Sequence, residues 1–386
     1  MKPAAVAVVG GGVMGASVAW HLAARGVRDV VVLDQGAGPG HGSTGKATGG
    51  FRAQYATAVN VRLSLMAREK LLRFAEDTGA DPGYVQVGYL WLAASESELA
   101  ALREGRAVQH AEGLTEAIEV SADEAARINP AVHFDGIAGG AFCPTDGFIR
   151  PLAILQGYVD AARRLGVRFE WGTEVTGFER QGRRIVSVTT PDGVLAADRV
   201  VNAAGAWAAP LARLAEVELP VTPLRRQVAA TDPCDLLPAS MPMTIWAGDG
   251  FHLRVRDGRI LLLWPTPGVP GRPFDATVEP EWVRAVVDKA HSRVPVLKKT
   301  MVDPVACWAG LYEMSPDKHA ILGLASGCDN FYLINGSSGH GVMHAPALGQ
   351  LLGEIICDGR ATSLDVRPLR PERFAEGDPN PVPGLL

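Results

Sequence analysis

The segment Gly10-Gly11-Gly12-Val13-Met14-Gly15 constrains this chain more than any other stretch. It is a G-x-G-x-x-G, and its flanks are those of a βαβ unit. Ala5–Val9 is a short apolar run, the pattern of a strand buried on both faces. Val13–Ala24 reads as a helix that Gly26 ends, and Asp29–Asp34 (DVVVLD) as a second buried strand. In such a unit Gly10 permits the tight turn, Gly12 lets the backbone approach a pyrophosphate, and Gly15 allows close helix–strand packing. The helix beginning near Val13 then points its amide N–H groups and positive end at the phosphates. Asp34, with Gln35 after it, ends the second strand 19 residues after Gly15, placed to accept ribose hydroxyls. The bland reading, a glycine-rich turn with no ligand, leaves the strand, the helix and the terminal acid unexplained.

The same segment bears on membranes. From Ala4 to Ala24 there is no formally charged residue, long enough for a span. Yet the run holds four glycines and His21, no basic region leads it beyond Lys2, and no cleavage pattern follows. A buried strand–turn–helix accounts for it. The uncharged stretch 330–353 is Gly- and Ser-rich and interrupted by His340 and Pro346, so no membrane span is expected there either. A net charge of -5 points to neither nucleic acid nor an anionic membrane as partner. Five scattered cysteines without a CxxC pair argue against a disulfide framework or a structural zinc site. Reduced thiols and a cytoplasmic location follow, with no metal.

Further along, Asn60–Thr78 reads as a helix, and Ile149-Arg150-Pro151 opens another that runs to Leu165. Strands are expected near Arg168–Trp171, Ile185–Thr190 and Arg199–Ala203. Leu219–Pro223 is a Pro-rich boundary. Beyond it, Phe251–Val255 and Arg259–Trp264 flank Asp257-Gly258, a hairpin signal. A helix near Glu281–Val294, a strand Phe331–Ile334, a loop Gly336–Gly341 and a helix Val342–Cys357 complete the chain, with a Pro-rich tail from Arg367 expected at the surface. Nucleotide-like signals at both ends predict one unit built from discontinuous segments, 1–85, 146–220 and 306–386. A sheet-rich unit, 86–145 and 221–305, is inserted into it.

Several segments resemble the D-amino-acid-oxidase-like flavoprotein superfamily, in its branch of sarcosine oxidase β-subunit, dimethylglycine dehydrogenase and dye-linked proline dehydrogenase β-subunit. Ser43-Thr44-Gly45-Lys46-Ala47-Thr48-Gly49-Gly50, preceded by Gly42, looks like the second FAD loop of that branch. Glu174-Val175-Thr176 resembles its adenine-side strand, and Val201-Asn202-Ala203-Ala204-Gly205-Ala206-Trp207 its strand and turn beside the cofactor. The runs Ala309-Gly310-Leu311-Tyr312-Glu313-Met314-Ser315-Pro316-Asp317 and Gly336-Ser337-Ser338-Gly339-His340-Gly341 resemble its C-terminal flavin segments. The likeness covers most of the chain in order. It implies an α/β (α+β) chain with a Rossmann-like FAD-binding domain in discontinuous segments and an inserted substrate domain of mainly antiparallel sheet. The residues it implies at FAD are Gly10, Gly12, Val13, Met14, Gly15, Asp34, Gln35, those of 43–44 and 46–50, Val175, Ala203, Ala204, Gly205, Trp207, Gly310, Gly336, Ser338, Gly339, His340, Gly341 and Val342. Ser43 and Thr44 carry short hydroxyls suited to phosphate oxygens, as well as to ordinary turns. Gly341 and the helix after it face the flavin pyrimidine ring in the family, where negative charge gathers on reduction.

Arg52 falls where amine-oxidising relatives carry an arginine for the substrate carboxylate, a task its bidentate guanidinium suits. Tyr312 replaces the carboxylate-binding arginine of glycine and D-amino-acid oxidases, and Met343 the lysine of monomeric sarcosine oxidases. His340 could orient substrate or bond the flavin, or be structural. Lys46 stands where histidyl-flavin relatives have His, and Gly310 where cysteinyl-flavin relatives have Cys, which implies non-covalent FAD. The expected reaction is oxidation of the C–N bond of a small secondary or N-methylated amino acid, of sarcosine, dimethylglycine or proline type, by hydride transfer to the flavin. No general base is identifiable. Alternatives are an FAD-dependent 2-hydroxy-acid or glycerol-phosphate dehydrogenase, a flavin subunit relaying electrons inside a hetero-oligomer, and an NAD-binding protein without flavin. The electron acceptor and any partner subunits stay open.

Overall fold

In the computed structural model, which describes residues 2–267 and 272–382, two eight-stranded sheets meet at the dinucleotide motif. The first runs Ile321–Leu324, Phe331–Asn335, Gly193–Asn202, Ala4–Val9, Val30–Asp34, Arg168–Trp171 in spatial order, with a meander of Gly177–Gln181 and Arg184–Thr190 appended. Ala4–Val9 lies parallel between Val30–Asp34 and Gly193–Asn202. Its neighbours therefore lead away in opposite directions, the place where a parallel sheet opens a crevice at the carboxyl ends of its strands. Helices Val13–Ala24, Ala58–Leu72, Pro151–Arg164 and Gly341–Asp358 pack on one face, and Ala208–Leu214 on the other. This is the mixed α/β architecture expected of the chain.

The second sheet runs Trp308–Met314, Thr222–Ala230, Arg259–Leu263, His252–Arg256, Met243–Trp246, Tyr89–Ala93, Gly139–Cys143, Ile118–Ser121. Its ladders are antiparallel except that of Met243–Trp246 with Tyr89–Ala93. Period-two alternation divides its faces. Leu90, Leu92, Leu253, Ile260 and Leu262 join the core under helix Pro280–Arg293. Tyr89, Trp91, Met243 and Ile245 project to the opposite face, toward the first sheet.

Local patterns held closely where one element sufficed. The first helix spans Val13–Ala24 and the strand Arg168–Trp171 spans the residues expected of it. Three expectations change. The helix expected over Asn60–Thr78 is two, Ala58–Leu72 and Phe74–Thr78, broken at Arg73 where φ is -101° and ψ 7°. Glu174-Val175-Thr176 is a connecting segment rather than a strand. The Pro-rich tail does not simply lie on the surface. Arg373 is wholly buried, its Nε and Nη2 donating to both oxygens of Asp317 at 2.8 and 2.9 Å, and Leu369 is buried beside it. Strand Trp308–Met314, within the segment 306–386, is hydrogen-bonded along its length to Thr222–Ala230 in the second sheet.

Candidate functional site

Between the sheets lies a cavity of about 600 Å³. Its floor is the dinucleotide motif. Gly10 donates its N–H to the Leu33 carbonyl at 2.8 Å, tying the turn to the second strand. A Cβ on Gly10, where φ is +107°, would lie 2.3 Å from the Ala203 carbonyl oxygen, and one on Gly15 would lie 1.9 Å from that of Gly10. Both positions admit only glycine. At Gly12, by contrast, an added Cβ would meet only the Thr44 hydroxyl at 3.4 Å, so the backbone stands open to a ligand. Gly12 also caps helix Val13–Ala24 with no side-chain hydrogen bond, and His340 stands at the same position before helix Gly341–Asp358, likewise without one. Two helix N-termini thus face one cavity, each favouring negative charge. Asp34 accepts from the Gly11 N–H at 2.6 Å and the Gly36 N–H at 2.7 Å, which fixes its carboxylate at the rim. An open glycine cradle, two positive helix ends and a held acid at the second strand's end fit a dinucleotide with a pyrophosphate.

The loop 43–50 closes over this floor. Thr44 Oγ1 accepts from the Val13 N–H at 3.1 Å, and Ser43 Oγ donates to the Leu311 carbonyl at 2.6 Å. The second sheet grips the loop by its carbonyls. Arg254 Nη1 donates to Thr48 at 2.8 Å and Gly49 at 2.9 Å, Arg256 Nη1 to Ala47 at 3.1 Å, and Trp308 Nε1 to Lys46 at 2.8 Å. A Cβ on Gly310 would sit 2.8 Å from that of Lys46, so the two positions implied for covalent attachment adjoin one another.

The roof is the alternate-residue face of the second sheet: Tyr89, Met243, Ile245, His252 and Leu263 line the cavity. His252 is driven down to about 4, chiefly by burial, so it is neutral at physiological pH. Arg226 lines the cavity too, its Nη1 donating to the carbonyls of Arg225 and Thr266 and its guanidinium 5.5 Å from the centre of the Tyr312 ring.

Arg52 is 7% exposed and lies in the cavity wall, not on the surface. Its guanidinium sits 4.2 Å over the Tyr55 ring and 5.2 Å from that of Trp91. Nη1 donates to the Gln54 carbonyl at 3.0 Å and Nη2 to His340 Nε2 at 3.3 Å. A guanidinium only donates, so Nε2 of His340 carries no proton. Burial first, then the Arg52 charge, holds that imidazole well below its ordinary value. Behind Arg52, Asp146 is fully buried. It accepts from the Ala53 N–H at 2.7 Å and from Gln54 Nε2 at 3.2 Å, fixing the two residues that follow the arginine. Burial raises Asp146 to about 7 against those bonds.

Nearly all the residues singled out in the sequence come together here. Gly10, Gly12, Val13, Met14, Asp34, Gln35, Ser43, Thr44, the residues of 46–50, Arg52, Val175, Ala203, Ala204, Gly205, Trp207, Gly310, Tyr312, Ser338, Gly339, His340, Gly341 and Val342 all line the cavity. Gly15 acts from beneath, by packing. Gly336 is not among the lining residues; at φ +69° it turns the chain out of strand Phe331–Asn335 beside Ser315 and Ile321. Sequence reasoning missed the roof residues and Asp146. Alternation marked the strands, but nothing local says which face meets the cavity.

Residues 5–355 match the family described as FAD dependent oxidoreductase (DAO). Dimethylglycine dehydrogenase of Rattus norvegicus is 28% identical over 390 residues, covering 96% of this chain but 44% of that protein. The chain thus spans less than half the length of the dimethylglycine dehydrogenases it matches. Glycine oxidase of Geobacillus kaustophilus is 29% identical over 94% of this chain and 95% of its own. Among solved structures, L-proline dehydrogenase from P. horikoshii superposes with a TM-score of 0.91 at 28% identity, covering 98% of this chain and 100% of that one. No helix of the described residues is long and apolar enough to cross a membrane. A match over most of its length, on a fold whose cradle suits a dinucleotide, places the chain: it belongs to the family of FAD dependent oxidoreductases.

Proposed function

We propose that this chain oxidises the C–N bond of a small secondary or N-methylated amino acid of sarcosine, dimethylglycine or proline type. The observation that carries the reading is Arg52, a buried guanidinium in the wall of the FAD cavity under an apolar roof. Bound FAD supplies the acceptor for the two electrons and the hydrogen leaving the substrate carbon. The chain's own residues position the substrate. Arg52 takes the carboxylate, with His340 and Gln54 fixing the plane of its guanidinium. Tyr312 and the roof residues Met243, Ile245 and Leu263 exclude water from the amine end. An unprotonated His340 leaves the carboxylate to the arginine.

FAD is held without a covalent bond in this reading, since Gly310 offers no sulfur and Lys46 no imidazole. Acid precipitation is expected to release all the yellow colour into the supernatant; colour left in the pellet would refute it.

The experiment that tests the function is anaerobic addition of secondary and N-methylated amino acids, primary amino acids and 2-hydroxy acids to the oxidised protein. Bleaching is expected with the first group. Bleaching by hydroxy acids alone would sink the reading. Reoxidation of the bleached protein is expected to be slow in air and fast with a dye or quinone. Oxygen reduction profits from a cation beside the ring, whereas the roof presents Leu263 and a neutral His252, which leaves Lys46 and Arg226 as the lining cations that could take that part. Arg254 and Arg256, the cations of that hairpin, bond loop carbonyls instead. Reoxidation in air as fast as turnover would make the protein an oxidase.

A further inference from the structure

His252 opens strand His252–Arg256, paired with Ile245 on one side and Leu263 on the other, and all three line the cavity. The alternation of the strand agrees. Leu253 and Val255 enter the core under the sheet, while Arg254, two residues on, reaches the carbonyls of the loop over the dinucleotide motif. His252 Nδ1 lies 2.8 Å from the Gly250 carbonyl. A carbonyl only accepts, so Nδ1 carries the ring proton and Nε2 holds a free lone pair. Among the described residues nothing bonds Nε2, and it keeps surface open to the cavity.

The ring is held from behind. The Trp246 N–H donates to the Phe251 carbonyl at 2.9 Å and the Gly250 N–H to that of Trp246 at 2.8 Å, which closes a tight turn. Asp249 in that turn accepts from Arg293 Nη1 and Nη2 at 2.8 and 2.9 Å and from Lys289 Nζ at 2.8 Å, both on helix Pro280–Arg293. The carbonyl that sets the tautomer is therefore fixed by the turn and by two cations at the back of the sheet.

The lone pair decides what can meet it. A carboxylate has only lone pairs of its own and is repelled. A substrate of the class proposed above offers one kind of donor, the amine N–H. Arg52 takes the carboxylate at the wall, while His252 lies between Ile245 and Leu263, over the amine end. Hydride leaves the carbon next to nitrogen when the nitrogen is unprotonated and its lone pair can assist. In that form a secondary amine keeps one N–H and a tertiary amine none. We propose that His252 is a specificity-determining residue whose Nε2 accepts the N–H of the neutral amine, admitting secondary amino acids of sarcosine or proline type and disfavouring tertiary ones of dimethylglycine type. The inference rests on the amino-acid reading and narrows it.

Burial, with the charges of Arg52 and Arg226, drives the ring down to about 4 against the Gly250 bond. So weak a base does not keep a proton taken from an ammonium, and the imidazole acts as an acceptor rather than as a general base. With the N–H engaged, the amine's own lone pair stays free to assist hydride loss. A tertiary amine would leave Nε2 desolvated and unmet, and a site built around such a bond rejects the analogue that lacks it.

The test compares two unreactive carboxylates in the FAD-loaded protein. Pyrrole-2-carboxylate has a ring N–H that donates, and furan-2-carboxylate a ring oxygen that cannot. Kd is read from the perturbation of the flavin spectrum. The wild type is expected to bind the pyrrole about tenfold more tightly. His252→Phe is expected to bind the two alike, and His252→Gln, which keeps an acceptor, to restore part of the preference. In turnover, wild-type kcat/KM for sarcosine should exceed that for dimethylglycine by about tenfold or more. His252→Phe should lose that margin through the sarcosine value alone. Equal wild-type affinities, a preference that survives His252→Phe, or dimethylglycine oxidised as well as sarcosine overturns the proposal and leaves the amino-acid reading standing. Binding of neither carboxylate, with bleaching by hydroxy acids alone, overturns both. The wild-type comparisons need no variant, so they decide the matter even if His252→Phe does not fold.

Discussion

Replacing Arg52 with alanine is expected to raise KM for the amino-acid substrate by about thirty-fold or more while FAD remains bound. Truncating one member of a buried charged pair costs on the order of 2–5 kcal/mol, and each 1.4 kcal/mol is tenfold. Arg52 contacts Gln54, His340 and the rings of Tyr55 and Trp91, none of which belongs to the glycine cradle, so cofactor affinity should be spared. Arg52→Lys should recover only part of the loss, since an ammonium cannot bind a carboxylate bidentately. The direct measurement is the Kd of a non-reacting substrate-like carboxylate, read from its perturbation of the flavin spectrum. Unchanged affinity in the alanine variant would show that the carboxylate is held elsewhere, with Arg226 the next cation to examine.

The largest effect on stability is expected at the other end of the chain. Arg373→Met should cost about 3–5 kcal/mol, because it leaves the buried Asp317 without its charged partner. In the folded protein burial pushes Asp317 up, but the hydrogen bonds of Arg373 and Asn380 and the arginine's charge outweigh it and hold the carboxyl well below the usual carboxylate range. A group depressed in this way contributes stability that is present above its unfolded value, about 4, and lost as pH falls below it. In the variant burial is unopposed by the arginine, so the loss of stability as pH falls below about 4 should shrink, or turn into a gain that begins above about 4. Denaturant unfolding of the FAD-loaded protein at several pH values measures both. A loss under 1 kcal/mol would mean that the tail docks without the pair. Asp317 and Arg373 do not line the cavity, so FAD binding below the unfolding transition should survive.

That second prediction also shows where sequence reading stops. Arg373 sits among prolines, and composition alone places such a tail on the surface. Its burial is decided by Asp317, 56 residues earlier in the chain. Asp146 is a similar case: its meaning depends on the Ala53 N–H, 93 residues away. The floor of the site was legible because its determinants are local. Strand, glycine turn, helix and acid all fall within residues 5–34, and each obeys a short-range rule of periodicity or close approach. The roof was not legible. Tyr89–Ala93 pairs with Met243–Trp246 across a long stretch of chain and in parallel, and no turn signal announces that ladder. Only the pairing decides that Tyr89, Met243, Ile245 and Leu263 share one face. The 251–264 segment was visible as a hairpin, but its arginines were not visible as donors to the carbonyls of loop 46–49.

Those donors bear on how the protein can move. The loop that encloses the cofactor belongs by sequence to the nucleotide side, yet four of its carbonyl bonds come from the substrate-side sheet, three of them from guanidinium groups. Hydrogen bonds to charged donors are worth about 1.5–3 kcal/mol each. Swinging the sheets apart would break all four at once, which disfavours a hinge opening between them. Substrate and product are then expected to pass by rotation of single side chains at the mouth. Departure of the much longer cofactor requires the clasp itself to open.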